Sequence, residues 1–249
     1  MKIERFFKKF EQFADAPNAV EKMRELVLTL AVQGKLVHQN PYDEPAEVLF
    51  QRIDLEREQL VKTNQIRRHD LLGPLSDDEI PFSIPVGWKW RRLADLCFLI
   101  TDGAHYTPTY VERGIAFLSV KDVSGGVIDF SSTRLISEEA NKELCKRCRP
   151  ERGDILLTKV GTTGIAVTVD DSREFSIFVS LALLKFSQSN LDRRYLKHLI
   201  NSPFVRKQSA DNTQGIGNKN LVLRLIRQFS IPVPPLSEQM RIVAKVDEL

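Results

Sequence analysis

An α+β fold is predicted for this chain of 249 residues, and three observations carry it. Apolar residues recur at helical spacing in residues 1–80 and again in 236–249. Between them, in 81–235, short strand-like runs are bounded by Gly, Pro, Asn and Asp clusters. Capped helices are interspersed among those strands without the regular alternation of a doubly wound parallel sheet, so a mixed-sheet domain is expected. The chain thus divides into a helical segment at 1–80, a mixed-sheet domain at 81–235, and the start of a long helix at 236–249.

In the first segment, Asn18 followed by Glu21 has the form of a capping box, and Val20, Met23, Val27, Leu30 and Ala31 mark one helix face that Gly34 can end. Pro45 is a favoured first-turn residue and predicts a second helix through Leu49, Ile53 and Leu60 to about Ile66. Two such helices share too few large apolar residues for a core of their own, so they are expected to dock on the middle domain or on a partner. Asn40-Pro41-Tyr42 invites comparison with the Asn-Pro-Pro-Tyr motif of amino-methyltransferases. The second Pro is missing and no Gly-rich loop follows a strand, so the stretch reads as a turn. Arg67, Arg68 and His69 lead through Gly73 and Pro74 to an acidic run, Asp77 to Glu79, which reads as a solvated linker.

The middle domain opens at Ile84-Pro-Val-Gly-Trp-Lys-Trp90, with a turn and two tryptophans able to anchor its edge. Leu93 to Ile100 reads as a strand or a short helix leading into one. The loop Thr101-Asp-Gly-Ala-His-Tyr-Thr-Pro-Thr-Tyr110 then offers His105, Tyr106, Thr107 and Tyr110, whose polar tips suit base edges or phosphates. A plain loop with packed tyrosines accounts for the same residues. Ser137 to Cys148 is a helix with acidic residues in its first turn and Lys146 and Arg147 in its last, as the helix dipole favours. Cys145 and Cys148 have neither a second pair nor a spaced His, so they read as helix-end thiols and not as zinc ligands.

Gly153-Asp-Ile-Leu-Leu-Thr-Lys-Val-Gly-Thr-Thr-Gly164 reads as strand, tight turn and second strand, with Lys159, Thr162 and Thr163 at a tip that phosphate can meet. Its order of residues is not that of a nucleotide-binding loop. Asp192 caps a helix, and Ser202-Pro203 starts another. Arg193, Arg194, Lys197, Arg206 and Lys207 decorate this pair as either a solvated or a DNA-facing surface. The amide-rich loop from Gln208 to Asn220 supplies Gln214, Asn218, Lys219 and Asn220, residue types that pair with adenine or guanine in the major groove and equally build turns. Pro232, Pro234 and Pro235 then end the last strand and force a turn. Ser237 is the expected N-cap, Glu238 lies at the positive end of the helix, and Ile242, Val243, Val246 and Leu249 lie on or beside an apolar stripe that packs on the domain, on a partner or on a second copy.

At 42% hydrophobic and 28% charged residues the composition is that of a globular protein, without an apolar run of about 20 residues for a membrane span. The charged N-terminus is unlike a signal peptide, and three cysteines make no disulfide framework, so a cytoplasmic location is expected. Residues 81–235 carry 22 Lys/Arg against 15 Asp/Glu, while both flanks are slightly acidic. A basic middle suits a polyanion, because each neutralised phosphate releases counterions.

Four stretches resemble one family. Phe229 to Leu249, with IPVPPLSEQ between a strand and a helix, looks like the junction of recognition domain and spacer helix in the specificity subunits of type I restriction-modification enzymes. The segment LTLAVQGKLVHQNPYDEPAEVLFQRI is similar to the N-terminal region of a subset of them. The Asp-Gly-x-His-x-Thr-Pro loop and GDILLTKVGTTG resemble parts of their recognition domains. The resemblance implies a non-catalytic subunit that reads double-stranded DNA and holds modification and restriction subunits, which use S-adenosylmethionine and ATP; this chain would bind neither cofactor nor metal. Family members carry two recognition domains for a bipartite target. This chain shows one, with a helix that reads as cut short, so it is expected to read one half-site, alone or as a homodimer paired through the C-terminal stripe. A remnant that competes for the modification subunit without reading DNA is the alternative.

Overall fold

A computed structural model describes residues 18–68, 71–215 and 219–249. Helix α1 spans Ala19–Val32 and α2 spans Ala46–Lys62. Asn18 precedes α1 with φ of 66° and makes no side-chain cap bond, which corrects the expected capping box. An N-cap side chain reaches the free N–H groups from extended backbone, and Asn18 is left-handed. The turn between the helices does hold a local bond, Tyr42 N donating to Asn40 Oδ1 at 3.1 Å.

Among the described residues the two helices have no separate core. Ala31 and Val32 of α1 and Leu49, Phe50 and Ile53 of α2 are buried in one cluster with Leu96, Leu184, Ile231 and Ile242. Burying each large aliphatic side chain contributes about 1.5–3 kcal/mol, so this shared cluster is what holds the helices in place.

Strand β1 (Lys89–Arg92) pairs antiparallel with β9 (Ser230–Val233), so the start and end of the middle domain lie side by side. A short helix, α3 (Leu93–Leu96), leads into β2 (Cys97–Asp102). With β5 (Ile155–Thr158), β6 (Ala166–Thr168) and β8 (Leu181–Phe186), β2 forms an antiparallel sheet in the order β2-β8-β5-β6. A second sheet, β4-β3-β7, joins β3 (Tyr110–Leu118) antiparallel to β4 (Arg134–Ile136) and parallel to β7 (Phe175–Ile177). The mixed pairing is that of the predicted α+β class.

The four-stranded sheet separates two cores. Alternate residues of a strand face opposite sides. Ile155, Leu157, Ala182 and Leu184 enter the cluster shared with α1 and α2, while Leu156, Leu181 and Leu183 enter a second cluster with Leu118, Phe175 and Ile177. Central strands buried on both faces explain why the sequence shows unbroken apolar runs there instead of alternation.

Helix α4 (Glu138–Cys145) is capped by Ser137 Oγ, which accepts from Ala140 N at 3.2 Å. Asp192 Oδ1 accepts from the N–H groups of Arg194 and Tyr195 at 2.8 and 2.9 Å and starts α5 (Arg193–Asn201). Ser202 caps α6 (Pro203–Asp211), and a short α7 (Leu223–Arg227) precedes β9.

The last helix, α8 (Leu236–Glu248), starts after Pro235 and not after Ser237. Ser237 Oγ donates instead to Asp43 Oδ1 at 3.0 Å, and Arg241 pairs with the same carboxylate. Glu238 is buried, accepting from Trp88 Nε1 at 2.8 Å and Gln39 Nε2 at 2.5 Å. These bonds turn the helix back against α1 and α5. Ile242 and Val243 are consequently buried in the chain's own core and Val246 packs at its edge, leaving Leu249 exposed. This corrects the expectation that Ile242 and Val243 serve a second copy: an intramolecular neighbour already covers them. No described helix is long and apolar enough to cross a membrane.

Candidate nucleic-acid interface

The loop after β2 is held flat against β7. A Cβ on Gly103 would lie 1.9 Å from the carbonyl oxygen of Ile177, so only glycine allows this approach. Ala104 N donates to that same oxygen at 2.9 Å, and Val179 N donates to Ala104 O at 2.9 Å. With the floor pinned, His105, Tyr106 and Thr107 stand out in solvent, Tyr106 at 58% exposure. Tyr110 begins β3 half-exposed, 6.4 Å from the Phe117 ring, with the Arg134 guanidinium 5.5 Å over its face.

One buried carboxylate ties this loop to its surroundings. Asp102 Oδ1 lies 3.0 Å from His105 Nε2 and 2.5 Å from Arg147 Nη2, and Oδ2 accepts from Lys159 Nζ at 3.2 Å. Burial pushes the Asp102 pKa up, but its bonds to His105, Lys159 and Arg147 outweigh that and hold it below the usual carboxylate value. Arg147 also donates to Gly103 O at 3.1 Å.

Lys159 is 4% exposed and also donates to Val179 O at 3.2 Å. The expected phosphate contact by Lys159 at the hairpin tip is therefore corrected: its ammonium is turned inward onto a buried anion, because an unpaired buried carboxylate would be far costlier. Thr162 is exposed at the tip, and Thr163 Oγ1 is 2.9 Å from Thr213 Oγ1.

The amide-rich loop is fastened to the same hairpin. Gly161 N donates to Lys219 O at 3.0 Å and Leu221 N to Lys159 O at 2.7 Å, while Gln214 and Asn220 exchange backbone bonds of 3.0 and 2.8 Å. Gln214 and Lys219 are exposed. Asn220 is half-buried, its Oδ1 enclosed without a hydrogen-bond partner among the described residues. Asn218 lies outside the described residues. Three segments far apart in sequence thus meet at Lys159 and the turn after it: the Lys159 side chain holds the 101–107 loop, while Lys159 O and Gly161 N hold Leu221 and Lys219.

Other expected features are engaged elsewhere. Arg193 and Arg194 pair with Asp170 and Asp247, and Lys207 with Asp211, which favours a solvated surface for that helix pair. Burial pushes the Cys97 and Cys148 thiols up to about 12, so they are inert. Among the described residues no group of three or more His, Cys, Asp or Glu side chains is arranged to hold a metal ion.

Residues 85–249 match the family model described as the type I restriction modification DNA specificity domain. The chain belongs to this family. It is similar to the specificity subunits of the type I restriction enzymes EcoEI, 27% identical over 254 residues, and EcoAI, 28% identical over 245 residues, both of Escherichia coli. Each match covers 96% of this chain, but 42% and 41% of the relative, so the chain spans about two-fifths of their length. In fold it is similar to a chain of the structure described as "Structural basis underlying complex assembly and conformational transition of the type I R-M system", with TM-score 0.51, 19% identity, and coverage of 93% of this chain and 50% of that one. It is likewise similar to the HsdS subunit from Thermoanaerobacter tengcongensis, with TM-score 0.50, 22% identity, and coverage of 82% and 45%.

In this type I specificity domain, two residues that organise the loops were not singled out from sequence. Asp102 sits in the Asp-Gly-x-His stretch, three residues before His105, and that spacing was the available signal. Arg147 had only a helix-dipole explanation, and nothing local announces that it reaches 45 residues back to Asp102.

Proposed function

We propose that this chain is a non-catalytic DNA reader that recognises one half of a bipartite target and docks the modification subunits of a type I restriction-modification complex. The observation that carries the reading is the convergence of the 101–107, 159–164 and 214–220 segments on Lys159, within a chain of the specificity-domain family. His105, Tyr106, Thr107, Tyr110, Thr162, Gln214 and Lys219 offer donors and acceptors from that surface, and an exposed tyrosine or an amide can contact base edges directly. Asp102, Lys159 and Arg147 together leave one net positive charge under the loop, favourable to a phosphate nearby.

In this reading S-adenosylmethionine and ATP are used by the partner subunits, with adenine methylation in the modification subunit and translocation or cleavage in the restriction subunit. The complex is cytoplasmic, where its DNA substrate lies. Phosphate contacts set affinity, and the polar loop residues set the sequence preference.

The test is selection from a random-sequence duplex pool by this chain together with its modification subunit, at two salt concentrations. Enrichment of one short motif, with affinity that falls as salt rises, is the expected outcome. Capture of the modification subunit without any DNA enrichment would overturn the reading in favour of a competing remnant.

A further inference from the structure

A cleft of about 650 Å³ lies between the linker that follows α2 and the start of β2. It is lined by Arg67, Arg68, Lys146, Arg147 and Arg227, and the described residues lining it include no Asp or Glu. Its apolar floor includes Ile66, Leu72, Phe98 and Leu99. Arg67, Arg68 and Arg227 are exposed and, among the described residues, form no salt bridge. Lys146 and Arg147 are paired with Glu143 and Asp102, so the uncompensated charge of the cleft is that of Arg67, Arg68 and Arg227, and binding an anion relieves the repulsion among these three.

Described residues before and after the two arginines are anchored. Ile66 packs on the main core, and Leu72 N donates to Asp95 Oδ1 at 3.2 Å. On the far side, Arg227 Nη2 donates to Ile100 O at 3.0 Å, which fixes that guanidinium at the rim. Arg147 lines this cleft and also bonds Asp102 and Gly103 beneath the His105 loop, so the cleft runs directly into the candidate interface.

We propose that this cleft is a sequence-independent seat for the sugar-phosphate backbone of duplex DNA beside the half-site, with Arg67, Arg68 and Arg227 meeting successive phosphates. The inference rests on the DNA-reading function above. Phosphates match the basic rim, and the C–H surfaces of deoxyribose match the apolar floor. Contacts of this kind raise affinity for every sequence and add to the salt dependence, whereas the loops at Lys159 discriminate between sequences.

The experiment measures binding of fluorescent 30-base-pair duplexes, one carrying the selected motif and one random, by the full chain with its modification subunit between 50 and 300 mM salt. In the R67E/R68E variant the affinity for both duplexes falls by at least about tenfold, the ratio between them is unchanged, and the salt slope shrinks by about 2. Neither side chain makes a described hydrogen bond, so an unchanged thermal melt separates this loss from misfolding. R227Q serves as the second variant and shrinks the slope by about 1. Wild-type selectivity with an R67E/R68E slope equal to that of wild type would overturn the inference and leave the DNA-reading function standing. Loss of the modification subunit with DNA binding intact would assign the cleft to an acidic protein face and overturn it as well. Absence of DNA binding by the wild type would overturn both.

Discussion

Removing the carboxylate of Asp102 should unfasten the candidate interface more than removing any residue that faces solvent there. Asp102→Ala leaves the buried Lys159 ammonium with Val179 O as its remaining described acceptor, and leaves Arg147 and His105 without their shared partner. Breaking a buried pair from one side costs about 3–5 kcal/mol, because the surviving charge stays desolvated. Lys159→Met should cost less, about 1–2 kcal/mol, since Asp102 then keeps Arg147 and His105. In the double variant no unpaired buried ammonium remains, so the total should fall short of the sum by at least about 1 kcal/mol. Urea unfolding followed by the fluorescence of Trp88 and Trp90 measures all four free energies. The folded Asp102 carboxyl titrates below its unfolded value, so its contribution is full at neutral pH and is lost as pH falls through and below about 4. Strict additivity, or an Asp102→Ala cost under about 0.5 kcal/mol, would refute the claim that this pair joins the segments.

Three further outcomes test other parts of the structure. Burial, with Lys197 and Arg194 adding to it and Asp192 opposing, lowers the His198 pKa to about 4, so the unfolded chain takes up a proton that the folded one does not between about pH 6.5 and 4. Stability should therefore fall by about 2 kcal/mol between pH 7 and 4.5, and His198→Leu should remove that part of the loss in paired urea titrations. Gly103→Ala drives a methyl group into the Ile177 carbonyl and should cost about 1–3 kcal/mol or more in the same assay, while slowing or abolishing motif selection because the His105 loop lifts from β7. Ile242→Ala should cost about 2–5 kcal/mol in chemical unfolding while leaving the mass in solution unchanged; a change of oligomeric state without loss of stability would restore an intermolecular role for the stripe.

The sequence by itself determined the kinds of element and many of their ends. Asp192, Ser202-Pro203 and Ser137 start helices through bonds made within two or three residues, and the Gly153 to Gly164 stretch makes its turn by local chemistry. The basic bias of the middle and the family motifs were equally legible, since neither depends on what lies across the fold. Burial was not legible in the same way. A helical stripe containing Ile242 shows that a face must be covered, but whether α1 or another molecule covers it depends on where the three prolines and the Asp43, Gln39 and Trp88 bonds aim α8. Lys159 at a glycine-flanked turn looks the same in sequence whether it reaches for phosphate or for an anion beneath it. Its inward direction follows from Asp102 arriving at the end of β2, a neighbour 57 residues away. The clustering of Arg67, Arg147 and Arg227 around one cleft has the same origin. Local signals fix backbone conformation because they act within one turn; the environment of a charge is set by chains that meet only after folding, and there the tertiary structure alone decides.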